Sequence, residues 1–336
     1  MSSARILEVR DLRVEYATAT GGVCAVDGVD LDVHAGEFVG IVGESGCGKS
    51  TLLFAIARLL SPPAEITGGQ VVFHGRDLVT MNDKRLSALR WRDYSVVMQS
   101  AMNALNPVQS IEQQFDDAIR AHRDVKVSPV RSVEVMRLVG IDPIHLKSYP
   151  HQLSGGMRQR AMIAMALLFT PDLVIMDEPT SALDVVAQRS LMVQIKELQR
   201  ELGFAVLFVT HDMSLVSHFS DQLMVMYAGQ VAEIGATRQV FDNPAHPYSR
   251  GLLEAFPSIR GPRVELTGIP GNPPDLAHPP TGCRFHPRCP VVKPRCIEIE
   301  PELYQVGAAS ARCLLHEPGN PASVDVTVTA SAVKRP

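Results

Sequence analysis

The stretch Gly43-Glu44-Ser45-Gly46-Cys47-Gly48-Lys49-Ser50-Thr51 matches G-x-x-x-x-G-K-[ST], the pattern of a phosphate-binding loop. Residues 37–42 precede it as an apolar run short enough for a buried strand. Residues 52–60 follow and read as a helix that stops before Pro62. Strand, glycine loop and helix are the context this motif requires. Glycines 43, 46 and 48 let the backbone fold tightly enough for successive N–H groups to face one anion. The start of the helix adds a favourable dipole at the same place. In such a loop Lys49 reaches the β- and γ-phosphates of a bound nucleotide, and the Ser50 hydroxyl ligates Mg²⁺. Glu44, Ser45, Cys47 and Thr51 complete the cradle. Cys47 contributes only its backbone, so it receives no redox role.

Working outward, the whole chain has 336 residues, which suggests two domains or one large domain with an extension. The formal charge of −4 gives no strong field to draw the chain to nucleic acid or anionic lipid. No apolar run approaches the ~20 residues needed to cross a bilayer. The N-terminus leads straight into a strand pattern and lacks a signal-peptide apolar core, so a soluble cytosolic chain is expected. Of six cysteines, Cys24 and Cys47 are isolated, whereas Cys283, Cys289, Cys296 and Cys313 cluster near the C-terminus. In a reducing compartment such a cluster suggests metal rather than disulfides.

Upstream of the loop, residues 6–16 and 23–33 alternate as half-buried strands around a Gly21-Gly22 turn. They predict a small antiparallel sheet. Tyr16 suits either a surface aromatic or a residue stacked on a nucleotide base. Downstream, residues 68–73 and 94–99 read as strands, the second ending at Gln99. Helical periodicity over residues 111–115 and 133–139, stopped by Gly140, predicts a helical insertion between two parts of a parallel sheet. Ser154-Gly155-Gly156 opens a strong helix former, which makes it a second candidate anion site. Residues 173–178 form an apolar run ending in Asp177 and Glu178. A buried strand that delivers an Asp to the sheet edge is the usual Mg²⁺ partner of a phosphate loop, and Glu178 beside it can position or deprotonate water. Ser181-Ala182-Leu183-Asp184 opens a helix to about Leu202. The strand at residues 205–209 delivers His211, which could contact a γ-phosphate.

These motifs in this order resemble the ATP-binding subunit of an ABC transporter over residues 5–250. Residues 43–51 match the Walker A loop and residues 173–178 the Walker B strand. Gln99 matches the Q-loop glutamine and Leu153-Ser154-Gly155-Gly156-Met157 the family signature. Residues 181–184 match the D-loop, His211 the switch histidine and Tyr16 the base-stacking position. The resemblance implies ATP and Mg²⁺ as ligands, with Ser50, Gln99 and Asp177 around the metal. It implies Glu178, His211 and Gln99 as catalytic residues. It also implies a head-to-tail sandwich in which Ser154, Gly155 and Gly156 close over nucleotide held by the other ATPase.

The C-terminal part resembles the di- and oligopeptide uptake group, through residues 243–253, 268–276 and 283–290. The spacing Cys-x5-Cys-x6-Cys-x16-Cys does not match paired C-x-x-C zinc knuckles, and four thiolates suit either Fe–S or Zn²⁺. The subfamily resemblance favours a [4Fe–4S] cluster over zinc. Residues 257–301 hold 11 prolines and little periodic apolar pattern, so a four-thiolate site would supply the cross-links that a core does not.

The expected fold is α/β: a P-loop NTPase of the ABC ATPase type, with a mixed sheet, a small antiparallel β-subdomain, a helical subdomain insertion and a loop-rich cysteine extension. The expected division is an ATPase domain over 5–254, with its helical part at about 100–165, an extension over 255–316 and a disordered tail over 317–336. The expected function is ATP hydrolysis driving peptide import from the cytoplasmic face of the membrane. The expected partners are a second ATPase in a heterodimer, two permeases and an extracytoplasmic peptide-binding protein, with no nucleic acid. Import of nickel or another solute is the nearest alternative. A soluble ABC ATPase is the alternative from another class, although those usually carry two ATPase units or a long coiled-coil insertion.

Overall fold

A computed structural model describes residues 4–19, 21–99, 104–122, 125, 127–181, 183–255 and 268–319. Ala182 of the D-loop match and residues 320–336 of the expected tail lie outside them.

Strands β1 (Arg5–Thr18) and β2 (Gly21–His34) form the long antiparallel hairpin that the alternation predicts. Leu7, Val9, Leu12 and Val14 are fully buried on one face. β1 also pairs with β4 (Ala64–Phe73), and the short β5 (Arg76–Asp77) completes a four-stranded sheet. β4 is longer than the glycine-led signal at residues 68–73, because it pairs with β1 all the way to Tyr16↔Ala64.

The main sheet holds β3 (Phe38–Val42), β6 (Tyr94–Val97), β7 (Leu173–Asp177), β8 (Ala205–Val209) and β9 (Gln222–Tyr227), all parallel. Every residue of β3, β7 and β8 is buried. Such strands need helices or a second sheet on both faces. Their side chains divide by parity. Val174 and Met176 of β7 face one core, and Leu173 and Ile175 face the other. The first core packs the helices α3 (Ile111–Ala121), α4 (Arg131–Leu138), α5 (Gly155–Ala166), α6 (Val185–Leu202) and α7 (Met213–Phe219). The second packs α1 (Lys49–Ile56), α2 (Asp83–Leu89) and the antiparallel sheet. Each large apolar side chain so buried contributes about 1.5–3 kcal/mol.

Helix α1 is shorter than expected. It ends at Ile56, and Arg58 takes a left-handed backbone with φ 54°, four residues before Pro62. α3, α4 and α5 lie between β6 and β7 in the chain, where the periodicity put helices. α3 opens on a capping box between Ser110 and Gln113.

The C-terminal part differs from a free-standing extension. β10 (Gln230–Ala236) returns antiparallel to β9 and is followed by α8 (Thr237–Asp242) and α9 (Pro247–Glu254). After α10 (Arg295–Glu298), the strands β11 (Tyr304–Val306) and β12 (Ala309–Ala311) extend the main sheet. Its order is β11-β12-β10-β9-β3-β8-β7-β6. β12 lies so close to β10 that a Cβ on Gly235 would stand 2.6 Å from Cβ of Ala309. The prolines limit this region to short helices, and backbone pairing with β10 supplies an anchor.

Candidate functional site

In a parallel sheet the strands deliver their C-terminal ends to one edge, and ligands bind there. Four of the five parallel strands bring sequence-selected residues to that edge. β3 leads into the glycine loop, β6 towards Gln99, β7 into Asp177 and Glu178, and β8 into Thr210 and His211.

The loop is shaped by its glycines. Gly48 has φ 101°, and a Cβ there would stand 2.1 Å from the carbonyl oxygen of Ala25. No other residue fits. Lys49 is buried, and its Nζ donates to the carbonyls of Gly43 at 2.9 Å and Glu44 at 2.8 Å. The ammonium therefore lies inside the ring of loop amides, folded against its own backbone. Burial raises the pKa of the Cys47 thiol, with Lys49 opposing, which keeps that thiol protonated and inert.

The Ser50 hydroxyl donates to Asp177 Oδ1 at 2.9 Å, bringing Walker A and Walker B matches 127 residues apart into contact. Asp177 is buried. Burial pushes its carboxyl above the ordinary range and the Glu178 charge adds to this, while the Ser50 hydrogen bond and Lys49 oppose. A hydroxyl and a buried carboxylate are hard oxygen donors of the kind Mg²⁺ takes. A divalent cation between them would favour the charged carboxylate.

Glu178 holds a left-handed backbone with φ 45°, an unusual conformation of the kind found at functional sites. Gln99 Nε2 donates to its Oε2 at 2.8 Å. His211 Nδ1 stands 3.6 Å from Oε1, with a largely exposed ring. Glu178 thus sits between the glutamine and the histidine. The Tyr16 hydroxyl lies 3.0 Å from Thr51 Oγ1, which places the half-buried ring beside the start of α1.

Ser154 lies apart from this constellation. It caps α5 by accepting from the Met157 N–H at 3.3 Å and is exposed, as are its neighbours His151 and Gln152. Gly155 and Gly156 form the first turn of α5, and a Cβ on Gly156 would meet nothing within 4 Å. Open space at a helix N-terminus leaves its amides available to a group outside the chain.

The chain belongs to the ABC transporter family. Residues 26–181 match the ABC transporter family, and residues 232–296 match the oligopeptide/dipeptide transporter C-terminal region. The chain is 40% identical over 322 residues to a dipeptide transport ATP-binding protein, DppD, of Caldanaerobacter subterraneus subsp. tengcongensis. That alignment covers 94% of this chain and 98% of the relative. It is 43% identical over 300 residues to an oligopeptide transport ATP-binding protein, OppD, of Salmonella typhimurium, covering 88% and 89%. Among solved structures it is similar to the dimeric ATP-binding cassette MJ0796 bound to ADP and Pi in a post-hydrolysis state. The TM-score is 0.62 at 28% identity, covering 69% of this chain and 99% of that one. The fold is that of an ABC ATPase, and the enzyme class is ATP hydrolysis.

A second cluster stands beside the loop. Cys283, Cys289, Cys296 and Cys313 line one cavity with His246, Phe285, His286 and Leu314. None is in a disulfide. Burial pushes the Cys283 thiol up to about 11 and the Cys313 thiol up to about 12; the charges of Cys289 and Cys296 add to both, and that of Cys283 adds to Cys313. Among the described residues no three His, Cys, Asp or Glu side chains converge closely enough to hold a metal ion as they stand.

Sequence reasoning passed over the residues that join the two clusters. Tyr248 is fully buried, and its hydroxyl accepts from the Glu44 N–H at 3.0 Å. Arg288 reaches the Glu44 carboxylate with both Nη atoms, at 2.6 and 2.9 Å. Arg284 pairs with Asp27 and donates to the carbonyl of Ala228. No local pattern marks these contacts, because each spans about 56 residues or more, up to 257 for Arg284 and Asp27.

Proposed function

We infer that this chain is the ATP-hydrolysing subunit of an importer of di- or oligopeptides. The observation that carries the reading is the meeting of Lys49, Ser50, Asp177, Glu178, Gln99 and His211 at one sheet edge, in a chain whose C-terminal region matches that of peptide transporters. In this reading the loop amides of residues 43–51 and Lys49 bind the phosphates of ATP, and Tyr16 lies at the base. Ser50, Asp177 and Gln99 would hold Mg²⁺, which would neutralise phosphate charge there. Glu178 orients the attacking water and takes its proton. His211 holds the γ-phosphate and that water. Gln99, bonded to Glu178 and followed by the helical segment, reports the state of the site to that segment. Domain limits at 5–254, about 100–165 and 255–316 follow the same division of labour.

The nucleotide edge is half a site. Ser154 is exposed, Gly155 and Gly156 are half-buried, and no contact within the chain fills the space beside Gly156, which supports closure over nucleotide bound to a second ATPase. The proposed assembly is a heterodimer of ATPases at the cytoplasmic face with two permeases and a peptide-binding protein, supported by the match of residues 232–296 to the oligopeptide/dipeptide transporter C-terminal region. No helix among the described residues is long and apolar enough to cross a membrane.

For the cysteine cavity the proposed occupant is a [4Fe–4S] cluster bound by Cys283, Cys289, Cys296 and Cys313. Zinc would need four thiolates at about 2.3 Å from one point. The resemblance of residues 283–290 to the peptide-uptake group favours the cluster. Its role would be structural, cross-linking a proline-rich segment.

Reconstitution tests the transport reading. The chain, a partner ATPase and the permeases in proteoliposomes should accumulate labelled di- or tripeptide when Mg-ATP and the binding protein are supplied. ATP hydrolysis without peptide accumulation, across a panel of peptides, would contradict it.

A further inference from the structure

The Walker A match contains a carboxylate. Glu44 occupies the first variable position of the loop, the place where a polyanion is to bind. An unpaired carboxylate there repels phosphate and competes for Lys49. In this structure Glu44 is held at three points. Its backbone N–H donates to the Tyr248 hydroxyl, its carbonyl accepts from Lys49, and its carboxylate is clamped by Arg288.

The clamp is built for that purpose. The Arg288 side chain is only 5% exposed, and Glu44 is 23% exposed. Two parallel N–H···O bonds make the fork-to-fork geometry that fixes a carboxylate in direction as well as charge. The remaining guanidinium donors are also used. Nε donates to the carbonyl of Pro270 at 2.8 Å, and Nη1 donates to the Tyr227 hydroxyl at 3.3 Å. A lysine could not make these bonds together. Arg288 therefore ties residue 270 of the extension, the end of β9 and the phosphate loop into one unit.

We propose that Arg288 is a positioning residue of the nucleotide site, supplied by the C-terminal extension, which neutralises Glu44 and turns its carboxylate away from the phosphates. The proposal rests on the reading of residues 43–51 as the nucleotide loop. It makes the extension part of the ATP site rather than an appendage to it. It also gives the cysteine-bearing segment a direct contact with that site, since Arg288 precedes Cys289.

Titration of the full chain with Mg-ATP tests this. Arg288→Met should weaken affinity about ten-fold, the worth of a charge-assisted pair. Glu44→Gln added to it removes the stranded charge and should return affinity to within about two-fold of Glu44→Gln alone. Arg288→Lys keeps a cation but not the fork and should lose about three-fold. It is the variant read if Arg288→Met does not fold. Lys49→Ala run in parallel separates the two readings. If Lys49→Ala leaves affinity unchanged, the loop assignment fails. If Lys49→Ala abolishes binding while Arg288→Met, or Arg288→Lys in its place, binds like the wild type, the positioning role fails. Loss of affinity that Glu44→Gln does not repair would also overturn it, because a merely structural arginine predicts that result.

Discussion

The nucleotide edge and the cysteine-lined cavity lie side by side at one end of the sheet, yet they are made in different ways. The edge is assembled from strand ends. β3, β6, β7 and β8 are buried apolar ribbons, and their pairing alone brings Lys49, Gln99, Asp177, Glu178 and His211 together. The cavity has no such frame. Its walls are loops and short helices of a proline-rich segment, held by β12 on β10 and by buried polar contacts. Glu233, fully buried, accepts from the N–H groups of Ala245 and His246. Burial raises its carboxyl pKa, and those bonds oppose the rise. A site built on a sheet tolerates changes around it, whereas a site built from loops depends on each tie.

The largest effect that would sharpen this contrast is at the edge. Lys49→Ala should reduce Mg-ATP affinity about 10²-fold, because its ammonium makes charge-assisted bonds to phosphate in ground and transition states alike. The melting temperature should hardly change, since the sheet does not depend on that lysine. A large loss of stability would show that the edge is not the independent frame described.

Ser154→Glu should lower ATPase activity of the assembled complex by about 10²-fold, through a like charge facing the partner's phosphates. Binding of Mg-ATP to the isolated chain should be unchanged. Loss of affinity in the isolated mutant would place Ser154 at its own chain's nucleotide and break the half-site account.

In the cavity, protein purified without oxygen should be brown, with about four irons and four sulfides per chain. Cys283→Ser should abolish both and loosen residues 268–319 to proteolysis, since metal binding free energy is folding free energy. A colourless preparation with one zinc would replace the cluster with zinc. A metal-free preparation with an ordered segment would remove both.

The smallest effect lies at the joint. Burial lowers the His246 pKa from 6.5 to about 3, so the folded chain keeps it neutral, accepting from the Tyr248 N–H. The unfolded chain takes up a proton below pH 6.5 and the folded one does not, so stability falls as pH falls through that window. At pH 5.5 the loss is on the order of 1 kcal/mol. The raised Glu233 carboxyl works in the opposite direction, as it holds its proton more tightly when folded. His246→Asn should flatten the decline in melting temperature between pH 6.5 and 5.5. An unchanged decline would mean that the joint does not carry it.

The difference in construction decided what could be read from the chain. Walker A was legible because its constraint is local: Gly48 must be glycine, and Lys49 and Ser50 follow at fixed spacing. Asp177 was legible because a four-residue apolar run, residues 173–176, announces the strand that delivers it. The contact between Ser50 and Asp177 spans 127 residues, but the strand order supplies it once both motifs are recognised. β11 and β12, three residues each, carried no signal of their own. They form because β10 offers an unpaired edge. Arg288 was illegible for the same reason. Its partner Glu44 lies 244 residues away, and no periodicity links a guanidinium in a loop to a carboxylate in another.

The central claim is that Glu178 performs hydrolysis at an edge where other residues bind the nucleotide. Glu178→Gln keeps the shape of the side chain and removes its basicity. In the assembled complex, ATP occupancy and steady-state hydrolysis should be measured on the same sample. The account predicts occupancy equal to wild type and a rate lower by at least ~10²-fold. Hydrolysis close to the wild-type rate at full occupancy would contradict it.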